Sequence, residues 1–189
     1  MRRVGENYLF LSMGGTNMIL VGERINGLFK DVARAIHQRD PEPIRALALA
    51  QKNAGAHFLD VNTGPAVEDP VEVMEWLVKT AQEATGLPIS IDSMNVEAIE
   101  AGLRVHKGRA LINSTTGERS KLEAILPLAR EYKAYVIGLA MNEKGVPKDA
   151  NDRCAIAMEI VAAADEYGIP TTDLFIDPLI LPVSVAQEH

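Results

Sequence analysis

A single cysteine, Cys154, occurs in 189 residues. That excludes an intrachain disulfide and any zinc site built on several thiolates, and it predicts a reduced, cytoplasmic setting. Long apolar runs are missing too: no stretch approaches the roughly 18 residues that span a bilayer, so no membrane partner is expected. Cations are in the minority, with 19 Lys and Arg against 26 Asp and Glu and a net charge of −7. The chain lacks the basic face that phosphate neutralisation requires, and no nucleic-acid partner is expected. His37, His57, His106 and His189 are scattered without ligand spacing, so no metal site is expected. Neither G-x-G-x-x-G nor G-x-x-x-x-G-K-[ST] is present, which removes two common nucleotide-binding loops.

What remains is an ordinary globular composition, 47% hydrophobic and 24% charged, arranged as short apolar runs between helical patterns. The strand candidates are "MILVGE" (18–23), "HFLDVN" (57–62), "PISID" (88–92), "ALINST" (110–115), "YVIGLAMN" (135–142) and "LFIDPLI" (174–180). Their continuous rather than alternating apolarity predicts parallel strands covered on both faces. Helix ends are marked between them. Asp40 with Pro41, and Asn95, read as N-caps; Ser120 with Glu123 has capping-box spacing; Gly108 fits a helix stop; Pro127 is expected to kink or shorten its helix. Ile156, Ile160 and Ala163 share a helix stripe, where Cys154 is expected to pack as a small residue. "TGLP" (85–88) and "YGIP" (167–170) repeat one device, a glycine helix stop leading through proline into a strand. Residues 1–17 are expected to be a flexible extension. Their "YLFL" behind two arginines makes a poor signal peptide, because Glu6 and Asn7 come early. Residues 18–189 are expected to form one domain.

Repeated βα units leave two architectures, a doubly wound sheet or a (β/α)₈ barrel. A barrel needs eight strands and about 250 residues, so a barrel here is expected to be incomplete, with about six βα units.

The strand ends carry the chemistry. Glu23 and Asn26 follow the first run, Asp60 and Asn62 close the second, and Asp92 the third. Asn113 and Ser114 end the fourth, Asn142 the fifth and Asp177 the sixth. Any one of these could be a turn former or helix cap. A barrel, however, gathers C-terminal strand ends around one mouth, where active sites are built. Asp92, Asn113 and Asp177 follow closely on apolar residues, where an unpaired polar group is costly, and they are the leading ligand contacts. An Asp can accept two parallel hydrogen bonds from a guanidine-like edge, and Asn supplies both donor and acceptor. Pterins and related aminopyrimidines present such an edge.

"VGERING", "LDVNTGPA", "SIDS", "INST" and "IDPLILP" together resemble the pterin-binding methyltransferases, from about Met18 to the C-terminus. Within that group the resemblance is to the methyltetrahydrofolate:corrinoid/iron–sulfur protein methyltransferases. It implies a (β/α)₈ barrel, usually a homodimer, that binds 5-methyltetrahydrofolate in its mouth. The methyl group passes to a cob(I)alamin-type corrinoid carried by a separate corrinoid (iron–sulfur) protein, or back from it. It also implies pterin contacts from Asp92, Asn113 and Asp177, with Glu23, Asn26, Asp60, Asn62, Ser114 and Asn142 at the rim or behind it. The family's catalytic Asn of the seventh-strand region would lie beyond His189, so no catalytic residue is assigned. The Thr116–Gly117 pair and the residues before Met18 depart from the family pattern.

Two neighbouring readings stay open. The folate-binding domain of methionine-synthase-like enzymes shares the "GER-x-N" strand, and a non-catalytic pterin-binding fragment is the reading from a different class. Dihydropteroate synthases normally carry an S-x-R-P-G loop after the second strand, which "NTGPAVED" lacks.

Overall fold

The computed structural model describes residues 12–13, 16–65 and 67–180. Among these, six parallel strands lie side by side in chain order: β1 Val21–Asn26, β2 Phe58–Asn62, β3 Ile89–Asp92, β4 Leu111–Thr116, β5 Tyr135–Leu139 and β6 Leu174–Asp177. Helices α1 Lys30–Gln38 and α2 Pro41–Asn53 join β1 to β2. Each later crossover has one helix: α3 Pro70–Thr85, α4 Val96–Val105, α5 Arg119–Tyr132 and α6 Ala150–Glu166. A doubly wound sheet reverses its strand order at a switch point. This sheet never does, and consecutive order is the barrel pattern.

Contacts across the sheet show that it curls. The Phe58 and Tyr135 rings, on β2 and β5, stand 6.1 Å apart, and Tyr135 and Phe175 6.0 Å apart. Strands three places apart in a flat sheet would be separated by about 14 Å. The outer face carries Leu59, Val61, Ile89, Ile91, Ile112 and Val136, fully buried beneath the helices. Each contributes on the order of 2 kcal/mol of apolar burial. Arg109 fills the N-terminal end of the inner face. Its guanidinium lies 3.9 Å over the Tyr135 ring and pairs with Asp173 at 2.6 Å. At that same end His106 Nε2 accepts the Ile89 N–H at 3.0 Å, fastening the end of α4 to the start of β3.

Several expected ends hold. Asp40 caps α2 by accepting the Glu42 N–H, and Asn95 caps α4 through Ala98. Gly86 and Gly168, the repeated helix stops, both have left-handed φ angles, 70° and 72°. Other expectations are corrected. α4 already ends at Val105, with Gly108 in the loop beyond. α5 starts at Arg119, ahead of Ser120, because Thr116 Oγ1 accepts the Glu118 N–H and turns the chain early. Pro127 lies inside an uninterrupted α5. It is exposed, as is Glu123, whose carbonyl loses its helical partner on the solvent side where water can replace it. Cys154 is exposed rather than packed: it precedes Ile156 by two residues, about 200° around a helix, while Ile156, Ile160 and Ala164 form the buried stripe. β5 stops at Leu139, so Asn142 lies beyond it. Of the expected N-terminal extension, Ser12–Met13 and Thr16–Asn17 pair as short antiparallel strands. Residues 1–11 and 14–15 lie outside the described residues, as do 181–189.

Candidate functional site at the strand ends

Parallel register decides which side chains meet. Asn62 of β2 lies beside Asp92 of β3, and Asp92 beside Asn113 of β4. In-register residues of parallel strands face the same way, here the inner face. One layer below, Asp60 lies beside Ser90. Asn113 Nδ2 donates to Asp60 Oδ1 at 3.0 Å from two strands away, and Ser90 Oγ donates to the same oxygen at 2.6 Å. Asn62 Nδ2 donates to Asp92 Oδ2 at 2.7 Å. Glu23, Asn26, Asp60, Asp92 and Asn113, walled by Leu28 and Phe29, line a cavity of about 360 Å³. Among the described residues no three His, Cys, Asp or Glu side chains converge as a metal would require.

Burial sets the electrostatics. It raises the Asp60 pKa from 3.8 to about 6, against the lowering effect of the Ser90 and Asn113 hydrogen bonds; the Asp92 and Glu23 charges raise it further. Asp92 is raised by burial too, opposed by the Asn62 hydrogen bond. The cavity therefore holds one carboxyl whose pKa is raised to about 6 and a second that accepts the Asn62 amide N–H.

Two loops shape the mouth. Gly27, after β1, donates its N–H to the Asn62 carbonyl at 2.9 Å. A Cβ on Gly27 would stand 2.2 Å from the Thr63 carbonyl oxygen, and one on Gly64 would stand 2.7 Å from the Gly27 carbonyl carbon. Only paired glycines let these loops touch. β1 itself slips register between Gly22 and Ile25, so Glu23 and Arg24 together stand against Asp60. That bulge lets Glu23 face the cavity while Arg24 turns away to Asp31 at 2.7 Å and over the Phe29 ring at 4.1 Å. It also explains how "GER" sits within a strand that runs on to Asn26.

The other expected residues fall in different places. Ser114 follows Asn113 where β4 shifts register, and it does not line the cavity. Asn142 accepts the Lys144 N–H at 3.0 Å in a turn of its own. Asp177 is exposed at the end of β6, on the inner face, where its Oδ1 accepts the Leu179 N–H at 2.8 Å. Sequence reasoning overlooked Ser90, although alternation from Asp92 within "SIDS" places its hydroxyl on the same face. A larger cavity of about 530 Å³ lies between α1 and α3, lined by Arg39, Glu68, Asp69 and Glu72 among others. There Asp69 caps α3 and Glu72 pairs with Arg39 at 2.9 Å, while the other Arg39 guanidinium nitrogen is buried without a partner.

Comparison with known proteins agrees with this geometry. Residues 24–189 match the model of the pterin binding enzyme family. A methylcorrinoid:tetrahydrofolate methyltransferase of Eubacterium limosum is 31% identical over 169 residues, covering 88% of this chain and 62% of the relative. A methionine synthase of Mycobacterium tuberculosis is 27% identical over 180 residues, which is 92% of this chain and 15% of that enzyme. Among solved structures, a dihydropteroate synthase of Xanthomonas albilineans with 4-aminobenzoic acid superposes with a TM-score of 0.65 at 20% identity. It covers 86% of this chain and 60% of the synthase, a likeness of fold alone. The same enzyme in complex with 7,8-dihydropteroate gives a TM-score of 0.57. The chain thus spans about three fifths of the length of the methyltransferase and of the synthase. With six consecutive strands of a barrel, a polar array at their C-terminal ends and a family match over most of its length, the chain belongs to the pterin-binding enzymes.

Proposed function

We propose that the cavity binds the pterin ring of tetrahydrofolate or its 5-methyl form, and that the protein moves a methyl group between that folate and a corrinoid on a separate protein. The observation that carries this reading is the array Asn62–Asp92 and Asn113–Asp60, held by hydrogen bonds at the ends of adjacent strands. The Asp92 carboxylate accepts from the guanidine-like edge of the ring. Asn113 has its Nδ2 committed to Asp60 and turns its oxygen to a ring N–H. Asp177, on the same inner face nearer the mouth, accepts from the remaining donors. The apolar Leu28 and Phe29 cover the ring face, leaving polar contacts to fix its orientation.

Methyl transfer from a tertiary amine requires positive character on the nitrogen that leaves. A corrinoid supplies the nucleophile or, once methylated, the methyl donor. The chain's own part is to hold the ring, exclude water from its face and manage a proton. Asp60, with its pKa raised to about 6, is a cavity carboxyl that takes up a proton on mild acidification. A homodimer belongs to the same proposal.

The test is a methyl-transfer assay with reduced cobalamin and 5-methyltetrahydrofolate, followed by the absorbance of the corrinoid. Turnover that saturates in folate and is lost in Asp92→Ala supports the reading. A folded protein that binds no folate contradicts it. Saturable binding without turnover assigns a non-catalytic pterin-binding fragment instead.

A further inference from the structure

Asn62 ends β2 in register with Asp92, and its carboxamide is committed at both ends. Its Oδ1 accepts the Gly64 N–H at 2.7 Å, and its Nδ2 donates to Asp92 Oδ2 at 2.7 Å. A backbone N–H can only donate, so the amide oxygen must face Gly64 and the amide nitrogen must face Asp92. The flipped amide would set donor against donor and oxygen against carboxylate. Among the described residues Asn62 is the hydrogen-bond donor to the Asp92 side chain. It does not itself line the cavity that Asp92 lines.

We propose that Asn62 is the positioning residue for ring recognition: it turns the Asp92 carboxylate so that Oδ1 addresses the pterin, and it keeps that carboxyl an acceptor. The inference rests on the reading of the cavity as a pterin site. The titratable groups that face Asp92 are Asp60 on β2 and Glu23 on β1, both acidic, and β4 contributes the neutral Asn113. None of them favours an ionised Asp92. Burial already raises the pKa of this carboxyl and the Asn62 bond opposes that rise. Without the bond the carboxyl takes up a proton at higher pH, and a protonated carboxyl presents O–H where the ring presents N–H. Through Gly64 the same amide ties the orientation of Asp92 to the loop that leaves β2, the loop in contact with Gly27.

Asn62→Asp keeps the oxygen for Gly64 and removes only the donor, whereas Asn62→Ala removes both bonds. Binding of 5-methyltetrahydrofolate to each is measured by calorimetry from about pH 5 to about pH 8. Near neutrality both bind about tenfold more weakly than wild type or worse. In Asn62→Ala the acid limb of binding moves to higher pH. In Asn62→Asp affinity rises on mild acidification, because the introduced carboxyl and Asp92 then share one proton and the missing donor is restored. If the alanine variant does not fold, the isosteric aspartate variant carries the test. Affinities within about twofold of wild type, or weakening by one factor at every pH with the limb unmoved, overturn the positioning role. A wild-type protein that binds no folate overturns this role and the cavity reading together; a wild type that binds beside unimpaired variants overturns the role alone.

Discussion

Asp60 and Asp92 are acids of one type, two residues out of step on adjacent strands, and their partners separate their work. Asp60 is fully enclosed and receives two donors on one oxygen; Asp92 receives one donor and opens its other oxygen to the cavity. Asp92→Ala should therefore weaken 5-methyltetrahydrofolate binding by about 100-fold, the worth of a well-buried hydrogen bond to a charged acceptor, with the melting temperature little changed. Asp177→Ala should cost about tenfold, because Asp177 is exposed and one of its oxygens already serves Leu179. Calorimetry reads both; equal affinity in all three proteins would remove Asp92 and Asp177 from the site. Asp92 and Asn113 could be read from sequence, since each follows a short apolar run and ends it with a group too polar to bury unpaired. Ser90 could not be read as readily: a small hydroxyl inside an apolar strand looks like packing until strand pairing sets it beside Asp60.

At the level of elements, the loops after β1 and β2 are built on each other. Gly27→Ala places a methyl group 2.2 Å from the Thr63 carbonyl oxygen, and both atoms belong to loop backbones that cannot yield as a side chain would. The expected cost is roughly 2 kcal/mol or more, together with a loss of folate affinity as Leu28 and Phe29 move. Gly55→Ala is the control. Gly55 has φ of 96° with open space around it, so its variant should cost about 1 kcal/mol from backbone alone and leave binding unchanged. Urea denaturation and calorimetry on the two variants check this, and equal losses of affinity would contradict it. The six strands were visible in the sequence because burial on both faces leaves unbroken apolar runs. Their ends were less so. β1 reads as stopping at Glu23 because nothing local announces a bulge, and α5 starts early through the hydroxyl of Thr116, a residue that departs from the family pattern. Helix α1 escaped notice as a separate element because its N-cap position, Phe29, makes no side-chain cap bond.

For the whole molecule, strand order excluded a doubly wound sheet, and that order emerges only when the strands pair. Sequence could supply the rhythm of the βα units but not their neighbours. Two buried groups, Asp60 beside Ser90 of β3 and His106 bonded to Ile89 at the start of β3, have opposing effects on stability. Asp60, raised from 3.8 to about 6, resists ionisation, so its penalty is complete above about pH 6 and disappears as pH falls toward 3.8. His106, lowered from 6.5 by burial, is most stabilising above pH 6.5, and that contribution is lost as pH falls through its folded value. Asp60→Asn should therefore stabilise the fold near pH 7 by up to about 3 kcal/mol and gain little near pH 4. Urea denaturation at the two pH values measures the difference, and an equal gain at both would contradict the assignment. The most direct test of the central claim is a crystal structure of the protein with 5-methyltetrahydrofolate. The account predicts the pterin ring in the cavity at the ends of β1 to β4, with Asp92 and Asn113 within hydrogen-bonding distance of its edge; a ring seated between α1 and α3, or anywhere out of reach of Asp92, would contradict it.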